Sequence, residues 1–436
     1  MIVKSTLHTL VSLFLCLLSF DSISQPKIDS FFFNQLLAES DHTVFKQVLS
    51  EPNKYRCQII YTQIDRNKRG VPSFKNIYFN VDPDLYFNPA SMVKMPLAFL
   101  ALEKMKGLSK RGINKFTPLS IDSSYPKQVA MMADPSAPDK KPSIAHLIKR
   151  ALLISENDPY NRLYQFVGQG PINSSLQRKG YTSARITRQF MGYTEEQNRH
   201  GNGFRFYNET GGLLYAQPPS YNKDSFNFPA SILIGEAHIN RKEELVPGPF
   251  DFTKQNNISL EDQQKMLQAV VFPQSLSRKK RFNMSKEDRL FLLQFLSQYP
   301  SETNYPFYDD TIYFDSYVKF FFNDSTLKIP NNIRVFNKVG WAYGFLTDVS
   351  YVVDTLHNID YFLSATLYVN SDGVVNDSKY DEATVGFPFL RELGRLIYNY
   401  EVNRPRISNP PLDFLGVRYE SRNNELGKEK IKDVDN

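Results

Sequence analysis

The sequence predicts a mixed α/β (α+β) chain: an antiparallel β-sheet drawn from both chain ends, flanked by helices, with an all-helical domain inserted between its halves. Three observations predict it. Residues 56–80 and 332–370 are rich in β-formers. The residues between them carry several stretches of helical periodicity, and an amphipathic stretch, Phe387–Tyr400, follows the second β-rich region. The 436 residues, 41% hydrophobic and 14% aromatic, suffice for a sizeable core.

Residues 1–24 hold a single Lys4, an apolar stretch from Leu10 to Phe20, and Ser22 and Ser24 before Gln25-Pro26. This pattern predicts a secretory signal cut after Ser24, and hence an exported, periplasmic protein. The apolar run is shorter than the about 20 residues a spanning helix needs. Lipid attachment at Cys16 is disfavoured because Leu13-Phe14-Leu15 lacks a small residue. After cleavage Cys57 would be the one cysteine left, which excludes an internal disulfide; its alternating apolar surroundings predict a buried filler. Whether the exported chain is free or associated with a membrane stays open.

Arg56–Arg66 and Phe74–Asn80 read as a hairpin around the turn at Asn67–Pro72. Good helix formers run from Met92 to Met105, and Pro96 is tolerable there only near the first turn, so Ser91 stands at or near a helix start. Residues 106–142 read as irregular. Ser143 then caps a helix with Ile144, Leu147, Ile148, Ala151 and Leu152 on one face, ending near Ser155–Pro159, and a second helix spans Tyr160–Val167. The Gly-, Asn- and Tyr-rich stretch from 170 to 255 supports only loops and short elements. Two further helices open at Ser259 and Ser285, each with an Asp three residues on. Ile333–Val339, Phe345–Val353 and Tyr361–Val369 read as strands joined by turns at Gly340–Gly344 and Thr355–Asn358. Beyond Arg404 the sequence is a polar, Pro-bearing tail, expected to pack poorly near its end.

The net charge of +6 is spread over short segments, and the densest basic run, Ser277–Arg281, reads as a solvated turn; no nucleic-acid partner is implied. There is no His-Glu-x-x-His, no cysteine pair after export and no phosphate-binding glycine loop, so neither a metal nor a cofactor is called for. No obligate protein partner is evident.

Ser91-Met92-Val93-Lys94 sets a hydroxyl and an amine one helical turn apart, where a neutral amine can accept the serine proton and the helix start favours the developing anion. Ser-x-x-Lys alone is weak, since the spacing recurs at Ser24, Ser124, Ser220, Ser277, Ser316 and Ser325. Its company is more specific. Ser155-Glu156-Asn157 ends a helix in the middle of the chain, and Lys338-Val339-Gly340 ends a strand. In order and in structural setting these resemble the three motifs of the serine β-lactamase-like hydrolases, the class A β-lactamase and penicillin-binding-protein type. The resemblance runs from about Cys57 to Tyr400.

It implies a catalytic domain over 25–403, with a sheet part at about 50–90 and 331–403, a helical part at about 91–330, and a tail at 404–436. It implies Ser91 as nucleophile, Lys94 as the group handling its proton, and Ser155 as the relay to the leaving nitrogen. Asn157, Lys338 and Gly340 would bind substrate, and the backbone N–H groups of Ser91 and Trp341 would form an oxyanion hole. Two positions depart from the pattern: Glu156 stands where Asp is usual, and Val339 where Thr is usual, removing a hydroxyl that would meet the substrate carboxylate. For a base that activates water in deacylation, Glu195 and Glu196 are the nearest candidates, at a spacing that does not match. The implied activity is hydrolysis of a β-lactam or related amide through a Ser91 acyl-enzyme. A peptidase or esterase on the same scaffold, or a non-catalytic envelope binding protein, are the alternatives, with a β-lactam, peptide or ester as the small-molecule partner.

Overall fold

The computed structural model describes residues 26–228, 231–410 and 416–434. The signal segment, 1–24, lies outside the described residues.

Five antiparallel strands form the central sheet: β1 (Gln58–Arg66), β2 (Pro72–Phe79), β3 (Ile333–Ala342), β4 (Phe345–Asp354) and β5 (Ile359–Tyr368), in the order β3-β4-β5-β1-β2. The two chain ends meet where β1 pairs with β5, Gln58 opposite Thr366. Period-two alternation splits the sheet's side chains between two cores. Ile59, Tyr61, Leu363 and Ala365 join one core; Ile60, Ile64, Phe336, Tyr351 and Phe362 join the other.

The first core is covered by α1 (Ser30–Glu39), α2 (Thr43–Ser50) and a C-terminal helix, Phe387–Asn403. Phe45 of α2 stacks on Phe389 at 5.5 Å between centroids, and truncating either ring would cost about 3–5 kcal/mol. Cys57 is fully buried here, as expected of a filler.

The opposite face carries the helices of the central stretch. They are α3 (Lys94–Leu108), α4 (Ile144–Leu153), α5 (Asn157–Val167), α6 (Gln169–Arg178), the short α7 (Glu195–Asn198), α8 (Leu260–Val271) and α9 (Lys286–Ser297); the C-terminal helix is α10. α3 is buried on every side from Lys94 to Leu102, so it is a central rather than an amphipathic helix. The Ser143, Ser259 and Ser285 hydroxyls each accept the backbone N–H three residues on, as the caps predicted. α8 meets the sheet through a polar seam, Gln264 bonding Thr62 and Ser364.

The mixed α/β class holds, but the inserted part is not all-helical. Leu119–Ile121, Phe204–Tyr207 and Leu213–Gln217 form a three-stranded sheet, and short strands between 233 and 251 form two further ribbons. Runs of two to five residues broken by glycines are too short to show a period of two. α6 also falls where periodicity predicted only loops; its buried side includes polar Gln169 and Asn173, which hydropathy does not flag. The turn expected at Gly340–Gly344 shrinks to Tyr343-Gly344, because β3 runs on through Gly340 and Trp341 to Ala342.

The tail also departs from expectation. Residues 416–434 fold back along α4, α9 and the 300–313 segment. Glu420 pairs with Lys149 at 2.7 Å, Arg422 donates to the Pro300 and Thr303 carbonyls, and Ile431 pairs with Tyr308 through main-chain bonds. Its charges find buried or half-buried partners, so a polar composition did not mean a loose segment. No helix among the described residues is long and apolar enough to cross a membrane.

Candidate active site

Ser91 sits on a single 3-10 turn, Ala90–Val93, that runs directly into α3. The turn is forced by local bonds: the Asn88 side chain accepts from Ala90 N at 2.8 Å, and Pro89 O accepts from Met92 N at 2.9 Å. Ala90 is driven to φ 44°, a left-handed conformation that costs a non-glycine residue about 1–3 kcal/mol. Strain of this kind beside a serine, backed by a buried helix, holds the hydroxyl at the wall of a cavity of about 670 Å³.

Lys94 is fully buried one turn further on. Its Nζ donates to Asn157 Oδ1 at 2.8 Å, to Ser155 Oγ at 3.2 Å and to the Ser155 carbonyl. From the other side Lys338 Nζ donates to Ser155 Oγ at 2.7 Å and to Val339 O at 2.9 Å. Both lone pairs of the Ser155 hydroxyl are thus engaged by amines, which leaves its O–H as the donor. A hydroxyl so held can give a proton outward and be resupplied from behind.

Ser155 itself is placed by an ionic cluster. It has φ 71°, and the following Glu156 is buried, accepting from Arg150 at 2.5 and 2.9 Å and from Tyr308 Oη at 2.5 Å. Arg150 also bonds Asp134 at 3.0 Å. The Glu at this motif position therefore turns inward to anchor the loop. Asn157 opens α5 and is oriented by Lys94.

Lys338 is buried on β3, the edge strand of the sheet. Burial first, and repulsion from Lys94 second, hold it well below the usual lysine range, against the pull of Asp348. Asp348 on β4 is buried and bonded to Asn337, Ser350 and Phe320 N. Burial pushes its carboxyl up and pushes neighbouring Lys319 down. Lys319 reaches Asn337 at 2.6 Å and the Leu296 carbonyl. Lys319 and Lys338 both feel the one buried Asp348 carboxylate, and Lys94 adds its charge beside Lys338, a balance that favours loss of a proton from a buried amine.

Gly340 explains how β3 reaches the serine turn. A Cβ there would stand 2.4 Å from Pro89 O and 3.0 Å from Met92 Cγ, so the strand lies against the turn only as glycine. Next to it Trp341 is 44% exposed and lines the cavity, its Nε1 donating to Glu382 at 2.7 Å and its ring set edge-on to Phe387.

The structure thus brings together Ser91, Lys94, Ser155, Asn157, Lys338, Gly340 and Trp341 from three distant segments. It does not bring Glu195 or Glu196. Both are exposed on α7, Glu195 paired with Lys254 at 2.9 Å and Glu196 with His200 at 3.2 Å, and neither lines the cavity. Among the described residues none that lines it is acidic, and the Phe190 ring lies over Lys94, 5.2 Å from Nζ to centroid. Lys319 belongs only to the unaccompanied Ser-x-x-Lys spacing at Ser316, and Asp348, Phe190 and the cavity residues Arg188, Arg241 and Tyr343 belong to no motif in the sequence.

Among solved structures the chain is similar to a beta-lactamase from Sphaerobacter thermophilus, at 12% identity and TM-score 0.45, covering 87% of this chain and all of that one. It is also similar to an ancestral class A beta-lactamase (12%, 0.45, covering 82% and 99%) and to a beta lactamase from Xanthomonas campestris pv. campestris (12%, 0.45, covering 84% and 98%). No curated protein sequence matches it. Residues 44–400 match the family described as Beta-lactamase enzyme family, a span that takes in the three motifs and both halves of the sheet, and the chain belongs to that family.

Proposed function

We propose that the protein is an exported serine acyl-transfer enzyme that opens a β-lactam or related amide through a covalent Ser91 intermediate. The observation that carries the reading is the Ser155 hydroxyl, held between the Lys94 and Lys338 amines, with Lys94 one turn along from Ser91.

Neutral Lys94 takes the proton as Ser91 Oγ adds to the carbonyl carbon. The oxyanion so formed accepts from the backbone N–H groups of Ser91 and Trp341, each worth about 3–4 kcal/mol in the transition state. As the tetrahedral species collapses, the C–N bond breaks, the leaving nitrogen takes the Ser155 proton, and an amine behind Ser155 restores it. Asn157 and Lys338 position the substrate. Hydrolysis then needs a water activated at the ester. The acid-free cavity and the Phe190 ring beside Lys94 favour a slow second step, which makes a long-lived acyl-enzyme, of the penicillin-binding type, the preferred form of the reading.

Intact mass of the mature protein with benzylpenicillin tests it. The expected result is a single adduct of the whole penicillin, lasting minutes or longer and absent from Ser91→Ala. No adduct at millimolar penicillin, or one that persists in Ser91→Ala, overturns it for β-lactams.

A further inference from the structure

The cavity beside Ser91 has a wall that the acyl-transfer step does not use. Ser155 and Lys338, which serve the leaving group, do not line the cavity, whereas Ser91 and Asn157 do. The acyl portion therefore extends the other way, past Asn157 and into the cavity toward Arg188 and Arg241.

These two arginines come from segments with no part in the three motifs. Arg188 precedes the loop that carries Phe190, and its Nη2 donates to the Tyr193 carbonyl at 3.3 Å. Arg241 tips the hairpin whose strands are Ala237–Ile239 and Leu245–Pro247. That hairpin is fixed to the sheet side of the molecule: Ala237 and His238 pair in parallel with Val374 and Val375, and Asn376 donates to Ile239 O at 2.9 Å. Gly235, at φ 92°, allows the close approach, since a Cβ there would lie 2.6 Å from Val375 and 2.9 Å from Gly373 O.

Between the arginines stands Tyr343, in the β3–β4 turn and stacked on Phe250 at 5.7 Å. Burial raises its hydroxyl and both guanidinium groups pull against that rise, while Arg188 is held below the usual arginine range by burial first and by Arg241 second. Two like charges face one space, and among the described residues no carboxylate lines it. The nearby carboxylate that acts on Arg188, Glu195, is itself paired with Lys254.

We propose that Arg188 and Arg241 form an anion subsite for a free carboxylate at the far end of the substrate's acyl chain, so that the preferred acyl donor is anionic on its acyl side. The assignment of which side is acyl rests on the acyl-transfer reading above. Asn240 and Tyr343 supply neutral donors around the same anion, and the acid-free lining excludes a cationic side chain by leaving it unpaired.

The test uses two penicillins of the same shape, one with a glutaryl side chain and one with the terminal carboxamide, on Ser91→Ala protein. Trp341, the sole tryptophan, lines the cavity and reports equilibrium binding by its fluorescence, so acylation is not needed. The expected result is about 5-fold or more tighter binding of the carboxylate, a ratio that converts to about 1 kcal/mol. Arg188→Gln with Arg241→Gln should bring the ratio to within about 2-fold, as for a partly solvated charge pair. Arg188→Lys, which keeps the charge, should retain most of the preference, and exposed Arg241→Gln alone should lose part of it without a folding risk.

Equal affinity for the two penicillins, binding of neither, or a preference that survives the double substitution overturns the subsite. A surviving arginine-dependent preference without any adduct on the Ser91 protein would instead overturn the acyl-transfer reading and leave an anion-binding cavity.

Discussion

Gly340→Ala puts one methyl group where β3 meets the serine turn. The new carbon would lie 2.4 Å from Pro89 O and 3.0 Å from Met92 Cγ. Ordinary contacts begin near 3.4 Å, so β3 and the turn must separate by about 1 Å, or the Ala90–Ser91 turn must rotate. Pro89 O cannot yield easily, because it accepts the Met92 N–H that closes the turn. Overpacking of this kind costs about 1–3 kcal/mol of stability. The separation also moves Lys338 and the Trp341 backbone away from Ser91, and about 1 Å of misplacement at reacting groups costs about 100-fold in rate. Acylation by benzylpenicillin, followed by intact mass, should slow by about that factor, while a thermal melt shows a folded protein with a lowered midpoint. An alanine variant that acylates at the parent rate with an unchanged melt would refute the argument that glycine is needed for this contact.

Arg150→Met should cost about 3–5 kcal/mol in chemical denaturation, because it leaves the buried Glu156 and Asp134 carboxylates without their cation, and should slow acylation by loosening Ser155. Burial alone would push the Asp354 carboxyl up, but hydrogen bonds from Tyr398, Asn332 and His357 overcome it and hold it at about 2. Because the folded value lies below the unfolded one, this group's contribution to stability is present above pH about 4 and is lost as pH falls through about 2. Asp354→Asn should flatten that part of a denaturation series between pH 5 and 2. Ending the chain at residue 410 should lower the melting midpoint, since it removes the partners of Lys149, Thr303 and Tyr308; an unchanged melt would mean that the tail contacts contribute nothing.

Much of the site was legible because its residues recur at spacings set by local geometry. Ser91 and Lys94 share a helix face, Ser155–Asn157 fall at a helix junction, and Lys338 ends a β-rich run. The main strands were legible from their β-formers and the sites of their turns. What was illegible depends on partners far away in sequence. Asp348 sits in a strand buried on both faces, so a polar residue that alternation would turn outward lies inside beside Lys319 and Lys338. Gly340 could be picked out by its motif, but not its close packing against Pro89. Arg241 is an ordinary charged turn residue until the pairing of 237–238 with 374–375 brings it to the cavity. The tail's charges gave no sign of the buried lysine and main-chain carbonyls that receive them.

The pairing of β1 with β5 has a consequence for biogenesis. Gln58 must wait for Thr366, about 300 residues later, before the sheet can close. At synthesis rates of about 5–20 residues per second, the first hairpin stays open-edged for roughly 15–60 s, whereas a hairpin forms in about microseconds. The emerging chain thus carries one open strand edge, that of β1, through most of its synthesis, and the serine turn and Lys338 cannot come together until β3 has been made. A molecule so ordered gains its closed sheet and its candidate site together, in one late event.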